Sequence, residues 1–154
     1  MFCSFLAFLG RALISLIFIF AAIQKVLDWE GTEQLLKHTL TQWETLASGA
    51  SWLEALVHWS LENVQMLLWV IFFLELIGGL LVFLGITVRL GSFLLLCFLV
   101  PTTLIVHHFW DLAEPERQVQ MVNFMKNISI MGGLLFILAR GKGDVSSTSD
   151  QKPS

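Results

Sequence analysis

Charged side chains occur inside long apolar stretches of this chain, and the type and surroundings of three of them suggest chemistry. These three are Lys25, Glu75 and Lys126. A charged group near the bilayer centre costs about 2.5 to 3.5 kcal/mol on insertion scales, so such groups face the interior of a helix bundle and find partners. Glu75 must therefore pair with a lysine or take up a proton.

Two interpretations of Glu75 are open. The first is an ion pair with Lys25 or Lys126 that only fixes the register of the helices. The second is a binding site for a small anion or a quinone headgroup, in which the lysines donate hydrogen bonds and Glu75 is an acceptor or proton carrier. A structural pair tolerates joint replacement by apolar residues better than a binding site does.

The spacing of these residues predicts that they share one depth. Each lies 14 positions from an arginine, in the pairs Arg11 with Lys25, Glu75 with Arg89, and Lys126 with Arg140. Such a helical segment spans roughly 21 Å at about 1.5 Å per residue. With the arginines at one cytoplasmic depth, the three charges lie in the outer half of the membrane, close to the level of Thr102 and Thr103. A polar chamber that opens outward is expected.

The candidate polar pocket combines these charges with neighbouring polar side chains. Its members are Gln24, Lys25, Glu75, His108, Lys126 and Asn127. His107 and His108 are adjacent, so on a helix their side chains diverge by about 100° and cannot easily share one metal ion. We expect histidines that cap span three at the interface, or quinone or proton chemistry by one of them. No metal site and no intrinsic cofactor are predicted, and a quinone is the one cofactor considered.

Four apolar stretches are long enough to position these residues in a bilayer, which takes about 20 residues of helix. They cover residues 5–27, 64–86, 90–106 and 119–139. Hydrophobic residues make up 56% of the chain and charged residues only 14%, unlike a soluble domain. The sequence predicts an all-α, four-helix transmembrane bundle over residues 1–140 and a disordered cytoplasmic tail over residues 141–154.

Span one also indicates which of its sides faces the bundle. Polar, aromatic and small residues recur there at spacings of three and four: Arg11, Ser15, Phe18, Ala22 and Lys25. This spacing places them on one helical face. We expect that face to point inward.

The distribution of Lys and Arg predicts the orientation of the chain. Arg89 lies in the turn between spans two and three, and Arg140, Lys142 and Lys152 follow span four. Positive residues collect on the cytoplasmic side, so both termini are expected there, in a multi-pass protein of the inner (plasma) membrane.

The long segment between spans one and two is mainly acidic and is expected on the outer side. Leu36, Leu40, Trp43 and Ala47 recur in it at helical spacing. This pattern predicts a short amphipathic helix. It either lies in the membrane interface or packs on the bundle as a lid.

Small residues and one proline predict how the spans pack. Five glycines are expected to let helix backbones approach each other closely: Gly78, Gly79, Gly85, Gly132 and Gly133. Pro101 is expected to kink span three and to free a carbonyl group near Thr102 and Thr103, whose hydroxyls can satisfy it.

Several classes of function are unsupported. The net charge is −3 and no basic run occurs, so nucleic-acid binding is not expected. Cys3 and Cys97 lie far apart without Cys-x-x-Cys spacing, so a dithiol redox site is not indicated.

The motifs resemble those of the DoxX family of small four-helix membrane proteins, over nearly the whole chain. They are Gly10-Arg11, Gln24-Lys25, Asp28 with Gly31-Thr32, Glu75 with Gly78-Gly79 and Gly85, Arg89, His108-Phe109-Trp110, Asn123-Phe124-Met125-Lys126-Asn127 and Gly132-Gly133-Leu134. The family takes its name from a subunit associated with a thiosulfate:quinone oxidoreductase, and other members are tied to oxidative-stress or thiol-redox membrane complexes. The resemblance implies the fold and a redox association, and it assigns no catalytic residue.

Three functions therefore compete. The first is an enzyme or enzyme subunit in quinone-linked or thiol redox chemistry, with the candidate polar pocket as its site. The second is a non-catalytic scaffold that anchors a partner such as a redox subunit. The third is a small-solute permease, which four spans would support only as a homo-oligomer. Membrane lipid is the expected surroundings in all three cases.

Overall fold

The computed structural model describes residues 2–141, which form helices and connecting turns without any strand. The helices are α1 (Phe2–Leu27), α2 (Trp29–Leu46), α3 (Ser51–Glu62), α4 (Val64–Leu84), α5 (Val88–Val106) and α6 (Glu116–Arg140). The predicted disordered tail lies, from residue 142 onward, outside the described residues.

Four of these helices, α1, α4, α5 and α6, are long and apolar enough to cross a membrane. The predicted all-α fold with four spans is therefore confirmed. Helix α4 ends at Leu84, two residues earlier than predicted, because Gly85 adopts a left-handed conformation with φ of 70° and donates its N–H to Val82. Helix α6 begins at Glu116, three residues earlier than predicted.

The spans form a ring in which α4 and α6 lie on opposite sides. Helix α4 packs against α1 and α5, while α6 packs mainly against α5 and touches α1. The core between them contains Phe18, Leu95, Leu99 and Leu134. The inward face predicted for span one is confirmed, since Ser15, Phe18 and Ala22 are buried.

Glycines set the close contacts of α4. A Cβ atom added at Gly91 of α5 would lie 2.9 Å from the carbonyl oxygen of Gly78, so no larger residue fits between these helices. A Cβ atom at Gly79 would lie 3.0 Å from Cγ1 of Ile19 on α1. The prediction of a packing role is wrong for Gly85, which serves the turn, and for Gly132, which has nothing within 4 Å of an added Cβ.

The segment between spans one and two forms a helical hairpin, α2 and α3, rather than the single short helix predicted. Asp28 begins α2 by accepting a hydrogen bond from the backbone N–H of Gly31. Leu40 and Ala47 are buried, and Trp43 Nε1 donates to the Ile105 carbonyl oxygen at 2.9 Å. These contacts with the end of α5 are those of a lid packed on the bundle.

Candidate functional site

The first buried polar contact joins α1 to α4. Lys25 Nζ donates to Glu75 Oε2 at 2.6 Å, and the Glu75 side chain is only 2% exposed. The same ammonium group lies 5.6 Å from the centre of the Phe98 ring, within the range of a cation–π interaction. Gly79 follows Glu75 by one turn and lets α1 approach closely enough for this contact.

A second buried contact joins α5 to α6. Asn127 Nδ2 donates to Thr103 Oγ1 at 3.1 Å, and this hydroxyl donates to the Leu99 carbonyl oxygen at 2.6 Å. The Asn127 amide N–H and the Thr103 hydroxyl therefore each have a hydrogen-bond partner, as buried polar groups require. The contact fixes α6 on α5 at a level inside the predicted span.

The third contact surrounds His108. The expectation that histidines cap span three is confirmed for His107, the C-cap residue of α5, which ends at Val106, while His108 lies beyond the helix. His108 is buried and its Nδ1 lies 2.8 Å from the Ile105 carbonyl oxygen, which also accepts from Trp43. Its Nε2 is 3.7 Å from Asp111 Oδ2, and its ring makes an edge contact with Trp43. His108 therefore helps to hold the hairpin on the end of α5.

Two members of the candidate polar pocket take part in none of these three contacts. Gln24 is exposed on α1. Lys126 is exposed on α6 and donates to Asn123 on the same helix at 3.0 Å. Since α4 and α6 lie on opposite sides of the ring, Lys126 cannot reach the carboxylate of Glu75. The single outward chamber is therefore not formed. Lys25 with Glu75, Asn127 and His108 lie in three separate contacts, and Gln24 and Lys126 are exposed.

The structure contains a cavity that the sequence analysis did not find. It measures about 330 Å³ and lies between the hairpin and the helices α4 and α5. We call it the hairpin cavity. Its walls include Leu40 of α2, Trp59 of α3, Ile71 of α4, and Pro101 and Thr102 of α5. In the sequence, only Pro101 and Thr102 indicate such a cavity, because a proline inside a span frees a backbone carbonyl group.

Lys25 and Glu75 do not line the hairpin cavity. Phe98 lines it, and its ring centre is 5.6 Å from Lys25 Nζ, so this side chain is next to both the ion pair and the cavity. Within residues 2–141, no cluster of three His, Cys, Asp or Glu side chains could hold a metal ion.

The fold and these contacts define a four-span membrane protein with a helical hairpin packed on one end of the bundle. The model of the HR-like lesion-inducing family matches residues 3–140, and the chain belongs to this family. The inner membrane protein YphA of Escherichia coli is 28% identical over 141 residues, which cover 92% of this chain and 86% of that protein. An uncharacterized protein of Caenorhabditis elegans is 29% identical over 94 residues, or 60% of this chain and 33% of that protein. No solved structure matches the chain.

These similarities identify the chain as a multi-pass inner-membrane protein of the HR-like lesion-inducing family. The four-span membrane fold expected from the DoxX resemblance is confirmed, and the family whose model matches is the HR-like lesion-inducing family. The redox association that the DoxX resemblance implies stays a prediction.

Replacement of Lys25 by Met tests the ion pair. It leaves the Glu75 carboxylate buried without its partner, and such a loss costs about 3 to 5 kcal/mol of unfolding free energy. Lys25→Met combined with Glu75→Leu should recover most of this loss, because a pair replaced by apolar residues leaves no unpaired charge. The measurement is denaturation of the purified protein by dodecyl sulfate in mixed micelles.

Lys126→Met is the matched control, since it removes an exposed lysine from another span. It should change the unfolding free energy by less than about 0.5 kcal/mol. A double variant as unstable as Lys25→Met alone would contradict the ion pair as the cause.

Proposed function

We propose that this protein is a membrane subunit that binds a quinone-class molecule in the hairpin cavity and serves a partner redox protein. The observation that carries the proposal is the cavity itself. Its volume of about 330 Å³ is within the usual range of ligand pockets, about 300 to 1,000 Å³. Most of its wall is aliphatic or aromatic, as the flat ring of a quinone requires.

The polar groups of the cavity suit both redox states of a quinone. The Thr102 hydroxyl has no hydrogen bond to another residue in the described part of the chain, so it can donate to a quinone carbonyl. Pro101 has no N–H, so the Cys97 carbonyl one turn earlier lacks its helical donor and can accept from a quinol hydroxyl. Cys97 and Thr102 both line the cavity on adjacent turns of α5, which supports one acceptor and one donor for the ligand.

The ion pair has an indirect part in this proposal. Phe98 is next to both the Lys25 ammonium group and the cavity, and Lys25 and Glu75 do not line the cavity, so in this proposal the ion pair supports one wall without contacting the ligand. This differs from the pocket expected from sequence, in which the charged groups bind the headgroup directly. The protein's own residues supply binding and orientation, and a bound quinone would supply the redox chemistry.

The resemblance to the DoxX family supports the partner in the proposal. Members of that family are associated with quinone-linked and thiol-redox membrane complexes, and the relative YphA is described as an inner membrane protein. In this proposal electrons pass between the bound quinone and the partner subunit. The alternative is a scaffold that anchors such a partner without binding a quinone.

Filling the hairpin cavity tests the proposal. Titration of the detergent-purified full chain with a short-chain quinone should show saturable binding that Ile71→Trp abolishes, because the indole occupies the cavity. Thr102→Val should weaken binding by roughly five-fold, the usual effect of one lost hydrogen bond of about 1 kcal/mol. Isothermal titration calorimetry measures both effects.

Two matched variants make the result specific. Val100→Trp adds the same indole to the outer surface of α5, and Thr45→Val removes an exposed hydroxyl of α2. Both should bind quinone as the wild type does. If Ile71→Trp binds equally well, the cavity is not the site, and a partner that still copurifies with this variant favours the scaffold.

We also propose that both termini, Arg89 and Arg140 face the cytoplasm and that the hairpin faces the outer side. This proposal is supported by the excess of Lys and Arg at the end of the bundle that carries both termini, and by the acidic residues of the hairpin at the opposite end. A cysteine introduced as Ser48→Cys, in the turn between α2 and α3, should react with a membrane-impermeant maleimide in intact cells, in a background with Cys3 and Cys97 replaced by Ser. Reaction only after the membrane is broken would contradict this orientation.

A further inference from the structure

A second cavity lies at the end of the bundle opposite the hairpin. It is a groove of about 310 Å³ between α1 and α6, and we call it the α1–α6 groove. The two helices meet at Ile14 and Gly133, where an added Cβ on the glycine would lie 2.7 Å from Cδ1 of Ile14. Beyond this contact they diverge, and Gly10 leaves space because nothing lies within 4 Å of an added Cβ.

The wall of the α1–α6 groove is apolar. Leu6, Ala7 and Ile14 line it from α1, and Phe136 and Ile137 line it from α6. Such a wall suits an extended hydrocarbon chain and offers no hydrogen bonds from these side chains. A lipid acyl chain is the apolar molecule present around every membrane span.

The rim of the same groove is positively charged. Arg11 and Arg140 both line it, together with Gly141. The guanidinium group of Arg89 lies against Gly141, since an added Cβ there would be 3.2 Å from Arg89 Nε. Two arginines therefore line the groove, and Arg89 of a third span lies beside its end at Gly141.

No carboxylate among the described residues neutralises Arg89 or Arg140. The four ion pairs in residues 2–141 involve other residues, and Arg140 contacts the Phe136 ring at 5.5 Å. Guanidinium groups match the geometry of phosphate oxygens and bind them with two parallel hydrogen bonds. Basic pockets between membrane helices are places where anionic lipid headgroups bind.

From this geometry we infer that the α1–α6 groove binds an anionic phospholipid. One acyl chain occupies the apolar groove, and the headgroup phosphate lies at the arginines. The site differs from the hairpin cavity in position, charge and ligand. It therefore stands independently of the proposed quinone binding.

Native mass spectrometry of the detergent-purified full chain tests this inference. Phosphatidylglycerol and phosphatidylcholine with identical palmitoyl and oleoyl chains are added at equal concentration, so that only headgroup charge differs. The wild type should retain phosphatidylglycerol preferentially. Arg89→Gln combined with Arg140→Gln should lower the ratio of bound phosphatidylglycerol to phosphatidylcholine about 25-fold, or roughly five-fold for each arginine near the surface.

Gly10→Leu tests the groove separately from the charge. An added Cβ at Gly10 has nothing within 4 Å, so the bundle should fold while the leucine side chain displaces the acyl chain and the binding of both lipids falls. Gly132→Leu is the matched control, because this helical glycine also has nothing within 4 Å and does not line the groove. It should bind lipid as the wild type does.

Two results would overturn the inference. One is equal retention of the two lipids by the wild type, which would show that the arginines do not select an anionic headgroup. The other is an equal effect of Gly10→Leu and Gly132→Leu, which would show that the lipid does not occupy this groove. Circular dichroism of each variant confirms that the helices are retained.

Discussion

The burial of one carboxylate inside a membrane bundle is the constraint on which the arrangement of the spans depends. Glu75 is removed from water and lipid alike, and Lys25 is the one basic side chain in contact with it among the described residues. Burial of an unpaired charge is so costly that α1 and α4 have to be placed with these two groups in contact. Gly79 makes the placement sterically possible, since a larger residue there would push Ile19 away.

Fixing α1 on α4 determines where the remaining helices can go. Gly78 and Gly91 bring α5 against the free side of α4, and the bond between Asn127 and Thr103 then holds α6 on α5. The ring closes only weakly between α6 and α1, which leaves the α1–α6 groove at one end. At the other end the hairpin covers α4 and α5 incompletely and leaves the hairpin cavity.

Much of this fold follows from local properties of the sequence. The length of the apolar stretches predicts the four spans, and the spacing of Ser15, Phe18 and Ala22 predicts the buried face of α1. The sequence does not decide which lysine is the partner of Glu75, because Lys25 and Lys126 have the same spacing from an arginine. Helical spacing gives depth along an axis, whereas the choice between the lysines depends on which helix neighbours α4. The hairpin cavity is still harder to predict from the sequence, because its walls come from four helices and no single helix indicates it.

The account depends on Lys25 and Glu75 forming an ion pair, and infrared difference spectroscopy measures this directly. Spectra of the protein in lipid at neutral pH are compared with those of Glu75→Gln, because only a protonated carboxyl group shows the carboxylic C=O stretch. We predict no such band from Glu75 in the wild type and its appearance in Lys25→Met. A protonated Glu75 band in the wild type would show that the carboxyl is neutral and would contradict the account.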